Sequence, residues 1–309
     1  MGVLRIVRKK RRRGDSSRNR RRRQRWLWVG AALLVIWWWI PSVPTPRFLE
    51  SWPAPESGFT AWEPLYQGID YARANFTAPR PMKAHAIRVD LQNQGISFFV
   101  KPSNGDRKLD TNSQFPSDFL RRNHLQIAVS SSAFYPFVKW PGMPVDIMGL
   151  SVSDGDRYSP AVDNLDSLVI TAQREARIVP ARGDTHDAFN AAGGNLTILR
   201  NGVDRAEPLP AEAASAAGVS GDGRYLFWLI VDGRQPGWSE GATPGDSARM
   251  LRQLGAADGI NFDGGSVVTL VREGRWFGAS VLNRPCHPLL TGFERPIGGL
   301  MGIRAARLP

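Results

Sequence analysis

Cysteine and histidine are scarce in this 309-residue chain, which contains one Cys and four His. The single Cys286 excludes a disulfide within the chain, so a disulfide-stapled scaffold is ruled out. A nucleophilic Cys286 would need a positioned base, but its neighbour His287 would point to the opposite face of a strand. The histidines show no metal-ligand spacing. The motifs therefore predict no metal site and no cofactor, and the need for a divalent cation stays open.

The folded part of the chain has no excess of basic residues. The net charge is +12, from 40 Lys and Arg against 28 Asp and Glu. Residues 1–25 contain 13 basic residues and one acidic residue, which leaves 40 − 13 = 27 basic and 28 − 1 = 27 acidic residues elsewhere. A nucleic-acid-binding protein would carry its basic residues on the folded domain. The sequence therefore predicts no nucleic-acid partner.

Long apolar runs are also lacking, except near the N terminus. Trp26–Ile40 is fifteen residues without a charge, with tryptophans at both ends, as is typical of membrane interfaces. We expect residues 26–43 to form an uncleaved single-pass anchor, although a span usually takes about 20 residues. A cleaved signal peptide is the alternative, but Pro41–Pro44 offers no good cleavage site.

This anchor would set the location of the rest of the chain. Basic residues flanking a span stay in the cytoplasm, so the arm of residues 1–25 would lie there and contact anionic lipid. The C-terminal domain would then lie outside the cytoplasm, which for a bacterial inner membrane is the periplasm. The membrane is therefore an expected partner of this chain.

The remaining chain divides into a linker, residues 44–78, rich in Pro, Ser and Glu, and a folded domain, residues 79–309. Many short β patterns with glycine turns and few helical stretches predict an α+β fold with a mixed β-sheet core, preceded by the single transmembrane helix. Ser113–Asn123 and Thr243–Leu254 are the predicted helices. Ala206–Gly218, rich in Ala, Glu and Pro, is expected to be a mobile surface excursion.

Two Asp-Gly turns flank the second predicted helix. The apolar run Leu226–Val231 predicts a buried strand that ends at Asp232, and a short strand, Gly259–Phe262, ends at Asp263. A third strand is predicted over Val267–Val271. Glycine after each Asp lets a ligand approach the backbone closely, so the pattern favours carboxylates presented to a substrate. The alternative is that each Asp-Gly pair closes a hairpin.

Several short motifs share the order and spacing of one known family. Their residues are Val231–Gly237 (VDGRQPG), Asn261–Gly265 (NFDGG), Phe189–Gly194 (FNAAGG), Asn283–Pro285 (NRP) and Glu294–Pro296 (ERP). Together they resemble the phosphodiester glycosidase family, over roughly residues 84–303. That family includes a lysosomal enzyme that removes N-acetylglucosamine from mannose-6-phosphate tags and many bacterial exopolysaccharide-related proteins.

The resemblance implies a membrane-anchored glycosidase that hydrolyses a sugar-1-phosphodiester bond, similar to N-acetylglucosamine-1-phosphodiester, in an envelope or exopolysaccharide glycan. Asp263 would act as the acid/base or as the stabilising carboxylate. Asp232 would orient the site or bind sugar hydroxyls. The residues expected to bind substrate are Arg234, Gly264, Gly265, Ser266, Arg295 and Ser131.

The chain departs from the family pattern at two places, which keeps other interpretations open. Ser266, Val267 and Val268 replace a Gly and two Ser, and Ala128–Tyr135 reads AVSSSAFY where the family usually has AVNGGFF. A catalytically inactive glycan-binding or polysaccharide-assembly protein of the same fold is the main alternative. A membrane-tethered scaffold that functions through the basic arm is another. At the first turn, Asp232 could instead form a structural ion pair with Arg234.

Overall fold

The computed structural model describes residues 52, 53, 56, 58–105, 108–274, 278–287 and 290–309. The predicted basic arm and the predicted anchor, residues 1–43, lie outside these residues. Within the described part of the chain, no helix is long and apolar enough to cross a membrane.

The described residues form short strands and few helices. The strands in the first half are β1 (Glu63–Tyr66), β2 (Ile69–Phe76), β3 (Met82–Asp90), β4 (Ser97–Val100), β5 (Thr111–Asn112), β6 (Ile127–Ser130), β7 (Phe134–Tyr135), β8 (Pro144–Ile147), β9 (Ser151–Ser153) and β10 (Asp156–Ser159). Those in the second half are β11 (Ser167–Ile170), β12 (Ala176–Val179), β13 (Asn190–Gly193), β14 (Thr197–Arg200), β15 (Val203–Asp204), β16 (Ala214–Ser220), β17 (Tyr225–Val231), β18 (Ala256–Asn261), β19 (Leu270–Arg272), β20 (Ser280–Val281) and β21 (Leu300–Arg304). The helices are α1 (Pro116–Arg122), α2 (Pro244–Leu254) and a 3-10 turn over Gly265–Val267.

The strands form four sheets. The largest has eight strands in the order β1-β2-β3-β17-β16-β18-β14-β15, and a second has five in the order β20-β19-β6-β21-β4. A further five-stranded sheet runs β10-β9-β13-β11-β12, and a three-stranded sheet runs β5-β8-β7. The prediction of a sheet core with few helices is confirmed. Each named strand pair is antiparallel: short turns join some pairs, such as β16 and β17, and others, such as β3 and β17, are far apart in the sequence.

The large sheet is covered on both faces, which explains the continuous apolar sequence of β17. Leu226, Trp228 and Ile230 pack in one cluster with Ile127 and Val129 of β6. The alternate residues, Phe227, Leu229 and Val231, pack in another cluster with Met250 and Leu251 of α2. Strand residues alternate between faces, so a strand buried on both sides needs no polar positions. The second sheet thus lies over the face opposite α2.

Helix α2 begins and ends where the sequence predicts. Thr243 is the N-cap: its hydroxyl accepts from Asp246 N at 3.0 Å, and the Asp246 carboxylate accepts from Thr243 N at 3.0 Å. Each side chain therefore satisfies a backbone N–H that the first turn leaves open. Gly255 ends the helix with φ +106°, a conformation that glycine adopts without strain. The first predicted helix also forms, as α1.

The expectation for Ala206–Gly218 is wrong over its second half. Residues from Ala214 onward form β16, which lies between β17 and β18 in the large sheet. Small side chains are required there, because a Cβ added to Gly218 would lie 2.7 Å from the Ala256 Cβ. Alanine-rich composition was therefore a sign of close packing rather than of a surface loop.

The third predicted strand begins later than expected. The chain after Asp263 turns through Gly265, whose φ is +69°, into the 3-10 turn, and β19 starts only at Leu270. A left-handed glycine breaks an extended strand. Part of the predicted linker, residues 44–78, also belongs to the large sheet, because β1 and β2 lie at one end of it and β2 pairs with β3 along its whole length.

The cap of α2 provides a test of this packing. We expect Thr243→Ala to lower the free energy of unfolding by about 1 kcal/mol, because the Asp246 N–H loses its acceptor. Thr243→Ser keeps the oxygen and is the matched control, with a change of only a few tenths of a kcal/mol. Urea unfolding of both variants measures the difference. Equal stability of the Ala and Ser variants would contradict the role of the cap.

Candidate active site

The two Asp-Gly turns lie at the same edge of the large sheet. β17 and β18 each pair antiparallel with β16, so both end on the same side, with β16 between them. Neighbouring strands are separated by roughly 5 Å, which puts the two strand ends about 10 Å apart. Both turns lie against the backbone of Ala213. A Cβ added to Gly233 would lie 2.2 Å from Ala213 N, and a Cβ added to Gly264 would lie 2.9 Å from Ala213 O. Glycine is therefore required at both turns for close approach of the backbones.

Asp232, the first predicted carboxylate, is 1% exposed. Its Oδ1 accepts hydrogen bonds from Arg284 N at 2.8 Å and from Asn283 Nδ2 at 3.2 Å. Its Oδ2 accepts from Trp238 Nε1 at 3.2 Å. Burial raises the pKa of Asp232 to about 7, and these donors partly oppose the rise. The carboxyl group can therefore exchange a proton near neutral pH.

Two residues of β3 lie beside Asp232. His85 Nε2 is 4.0 Å from Asp232 Oδ2, and His85 Nδ1 is 2.7 Å from the Tyr71 hydroxyl. Burial lowers the pKa of His85 to about 3, so the imidazole is neutral and this contact is not an ion pair. Burial also lowers the pKa of Lys83, while Asp232 opposes the shift. The Lys83 Nζ lies 5.2 Å from the ring centroid of Trp238.

Asp263, the second predicted carboxylate, is partly exposed. Its Oδ1 accepts from Gly264 N at 2.9 Å, and its backbone N–H donates to Ser131 O at 3.2 Å. Burial raises the pKa of Asp263 to about 6, while the guanidinium groups of Arg295 and Arg234 oppose the rise. The carboxylate form therefore predominates at neutral pH, close to two cations.

Arg295 is the buried cation of the site, with 3% exposure. Its Nη1 donates to Ser266 Oγ at 2.9 Å and its Nη2 to Val138 O at 2.9 Å. The adjacent Glu294 points away and accepts from Ser117 N at 3.1 Å, at the start of α1. Burial lowers the pKa of Arg295. The neighbouring Glu and Arg thus have separate tasks: one anchors a helix and the other supplies positive charge.

Arg234 forms an ion pair at the first turn, but with Glu212. Its Nη2 donates to Glu212 Oε1 at 3.1 Å, and the pairing raises its pKa. The structural ion pair at this turn therefore joins Arg234 to Glu212 rather than to Asp232. A Cβ on Gly265 would lie 2.8 Å from Arg234 Nη2, so Gly265 makes space for the guanidinium.

The structure gathers most of the predicted site residues around one turn. Asp263 contacts Ser131 through its backbone, Arg295 contacts Ser266, and Arg234 packs on Gly265. Asp232 lies across β16 from this group. Ser131 is 1% exposed, and its hydroxyl has no hydrogen-bond partner among the described residues. A buried hydroxyl without a partner is costly, so it is available to a ligand or to water.

The family departures at Val267 and Val268 face the interior. Val267 packs with Phe119 and Leu120, and Val268 belongs to the main core cluster. Both are buried, with 6% and 1% exposure. These valines therefore add apolar core surface rather than remove polar groups from the surface around Asp263.

Sequence reasoning missed the residues that surround Asp232. Lys83 and His85 alternate along β3 and so share a face, but only the pairing of β3 with β17 brings that face to Asp232. Asn283 and Arg284 stood out only as a motif, and their contacts with Asp232 span about fifty positions. Among the described residues, no group of three or more His, Cys, Asp or Glu is placed to hold a metal ion.

Comparisons with known proteins identify the family and the fold. The family model described as phosphodiester glycosidase matches residues 123–304, more than half of the chain. The fold is similar to the catalytic domain of zebrafish N-acetylglucosamine-1-phosphodiester alpha-N-acetylglucosaminidase, auto-inhibited by its pro-peptide, with TM-score 0.60, 17% identity and coverage of 79% of this chain and 85% of that one. A search of curated proteins finds no match.

Two bacterial structures share the fold as well. A hypothetical protein from Synechocystis aligns with TM-score 0.52 and 14% identity, over 77% of this chain and 62% of that one. A Burkholderia pseudomallei protein described as exported aligns with TM-score 0.53 and 14% identity, over 72% of this chain and 74% of that one.

The raised pKa values are open to direct measurement. We expect the carboxyl carbons of Asp232 and Asp263 to titrate near pH 7 and pH 6 in an NMR pH series. Exposed Asp222 is the control, because hydrogen bonds from Ser220 and Arg224 lower its pKa. Midpoints near the ordinary value of about 4 for Asp232 and Asp263 would contradict the burial argument.

The same shifts determine how these two groups affect stability. Between about pH 4 and pH 7 the folded protein keeps protons that the unfolded chain has released. Ionisation of Asp232 and Asp263 therefore lowers the free energy of unfolding as pH rises through this window. Their stabilising contribution is complete below the unfolded pKa and is lost as pH passes the folded pKa.

Proposed function

The chain belongs to the phosphodiester glycosidase family, and on that premise we propose that it hydrolyses a sugar-1-phosphodiester in an envelope or exopolysaccharide glycan. The bond that breaks joins the anomeric carbon to a phosphate oxygen. Water supplies the new hydroxyl at the anomeric carbon, and the phosphate departs as a monoester. An N-acetylglucosamine-like sugar is the proposed donor.

The observation that carries the proposal is the pairing of buried Arg295 with the Asp263 turn. Positive charge develops on the sugar ring as the glycosidic bond breaks, and a carboxylate stabilises it. Negative charge collects on the departing phosphate, and the planar guanidinium of Arg295 offers donors that match phosphate oxygens. Ser266 already accepts from Arg295 at 2.9 Å, which fixes the orientation of the guanidinium.

The two carboxyl groups have environments suited to different roles. Asp263, with its pKa raised to about 6, is mainly ionised at neutral pH and serves as base or stabilising carboxylate. Asp232, with its pKa raised to about 7, holds a proton for part of the time and binds or orients the sugar hydroxyls.

The overall charge at the site favours an anionic substrate. Four basic side chains approach the two turns, while the pKa of one of the three carboxyls, Asp232, lies near neutrality. The basic residues are Lys83, Arg234, Arg284 and Arg295, and the acidic ones are Asp232, Asp263 and Glu212. A phosphodiester carries one negative charge, which this excess of positive charge would stabilise.

The alternative of an inactive glycan-binding protein has less support from the structure. Its sequence argument rested on Ser131, Val267 and Val268, but the two valines belong to the core. Asp232, Asp263 and Arg295 are all retained in a polar arrangement around the same sheet edge. Binding of a sugar-1-phosphodiester without turnover would favour this alternative.

We also propose that residues 26–43 anchor the enzyme in a bacterial inner membrane, with the basic arm in the cytoplasm and the catalytic domain in the periplasm. The similar Burkholderia pseudomallei protein, described as exported, supports an extracytoplasmic setting. The apolar run with flanking arginines in the sequence is the main argument.

Replacement of Asp263 tests the catalytic assignment. We expect Asp263→Asn to lower kcat on a sugar-1-phosphodiester by roughly 10³-fold, the range for loss of a general acid or base. The melting temperature should stay nearly unchanged, because the Asn oxygen can still accept from Gly264 N. Release of free sugar from a panel of sugar-1-phosphodiesters, with and without divalent cation, measures turnover of the full chain.

The matched control is Asp163→Asn, at an exposed carboxylate that pairs with Arg182; its turnover should equal that of the parent. If Asp263→Asn keeps full activity, the assignment is wrong. If it unfolds instead, Asp263 is a structural residue.

Removal of the basic arm separates the enzyme from the scaffold interpretation. A chain without residues 1–25 should keep its kcat, because the described catalytic residues lie far along the sequence in the folded domain. Its binding to vesicles rich in anionic lipid should weaken, since each basic residue near such a surface contributes about 1 kcal/mol. Loss of kcat in an intact, folded variant would instead assign the function to the arm.

A further inference from the structure

The most exposed apolar side chains cluster on one segment beside the candidate active site. Within residues 134–148, Tyr135 is 70% exposed, Phe137 64% and Trp140 72%, followed by Met143 at 47% and Met148 at 49%. No other stretch of this length in the described chain exposes as many large apolar residues. Exposed apolar groups that cluster in this way usually mark a binding surface.

The cluster is continuous with the site through Phe137. The Arg295 guanidinium carbon lies 3.5 Å from the centroid of the Phe137 ring, and Arg295 Nη2 donates to the next residue, Val138, at its carbonyl. One face of the ring is therefore against the guanidinium, yet most of Phe137 remains exposed. A ligand whose phosphate contacted Arg295 would extend across this ring.

The segment is held in a fixed arrangement. Ser113, 2% exposed, donates from its hydroxyl to Trp140 O at 3.0 Å and accepts from Met143 N at 3.2 Å. Pro136, Pro141 and Pro144 further restrict the backbone. A backbone that is already ordered loses less entropy on binding, so the segment carries a smaller entropic cost when it binds a ligand.

The charges of the segment favour a neutral, hydroxyl-rich ligand over a lipid surface. Residues 134–148 contain one basic residue, Lys139, and one acidic residue, Asp146. Segments that lie on anionic membranes are instead rich in Lys and Arg. Asp146 is paired with Tyr135 across β7 and β8, so a carboxylate and a phenol hydroxyl occupy paired positions of these two strands. Both groups can hydrogen-bond to sugar hydroxyls.

We propose that Tyr135, Phe137 and Trp140 form an aromatic ledge that binds a saccharide chain on the phosphate side of the scissile bond. The inference rests on the proposed function and specifies its substrate class: a phosphodiester whose leaving group carries further sugar units. The electron-rich faces of aromatic rings attract the C–H groups of a pyranose ring. The ledge would thereby select a polymeric glycan over a small diester.

Kinetics on two substrates tests this selection. For the full chain, Trp140→Ala should lower kcat/KM about ten-fold on a diester with an oligosaccharide leaving group, equivalent to about 1.4 kcal/mol. It should leave kcat/KM on the corresponding methyl diester unchanged. Phe189→Ala, which truncates an exposed phenylalanine directly before β13, is the matched control and should change neither value. Equal effects of Trp140→Ala on both substrates would overturn the proposal.

A binding measurement decides the proposal even if the enzyme shows no turnover. Cellohexaose, maltohexaose and chitohexaose are titrated calorimetrically into the full chain and into Tyr135→Ala and Trp140→Ala. Binding by the parent that weakens about ten-fold in both variants supports the ledge, whether or not catalysis occurs. Binding of none of the three oligosaccharides by the parent, or undiminished binding by the variants, overturns it.

A fluorescence measurement tests the alternative that residues 134–148 lie in a lipid bilayer. Trp140→Cys can carry an environment-sensitive dye, because Cys286, the only other cysteine, is buried. Reconstitution into phosphatidylglycerol and phosphatidylethanolamine vesicles should leave the dye emission at its value in water. A blue shift in these vesicles would place the segment in lipid and overturn the saccharide proposal.

Discussion

The close contact of two glycines with the backbone of Ala213 determines the geometry of the whole site. Gly233 and Gly264 approach the start of β16 from opposite sides, where any Cβ would lie within 2.9 Å of Ala213. Gly265 N also donates to Ala213 O at 2.8 Å. The turns that follow β17 and β18 therefore both contact Ala213. As a result, Asp232 and Asp263, which directly precede the two glycines, lie at the same edge of the sheet. Substitution at either glycine would separate the two turns.

Burial is the second constraint, because it alters the chemistry of the groups that this geometry assembles. Asp232 and Asp263 lose hydration and their pKa values rise to about 7 and about 6, while that of neutral His85 falls. Arg295 is desolvated as well, yet it keeps two hydrogen-bond partners. Charge on a substrate would therefore interact with these groups more strongly than it would in water. These properties suit the reaction that we propose, in which charge separates between a sugar ring and a departing phosphate.

Local sequence signals predicted several helices and strands. Pairing between distant strands determined which of their side chains meet in the candidate site. The apolar run of β17, the Thr243 cap and Gly255 each carry a local physical signature, and all three appear in the structure. Lys83 and His85 carried none, because their role depends on the register between β3 and β17. The prediction of a mobile loop over the residues of β16 was wrong. Alanine and glycine are common in loops, but here they fit a crowded central strand. The contact of Phe137 with Arg295 could not be predicted from the sequence, because the two residues are far apart along the chain.

We propose that turnover breaks the bond between the anomeric carbon and the phosphate oxygen. Hydrolysis in water enriched in ¹⁸O tests it directly, because the solvent oxygen remains on the atom that water attacks. We expect mass spectrometry to find the label on the anomeric hydroxyl of the released sugar and none in the phosphate monoester. Label in the phosphate would show cleavage of the phosphorus–oxygen bond, and the assignment of Asp263 and Arg295 to glycosidic chemistry would then be wrong.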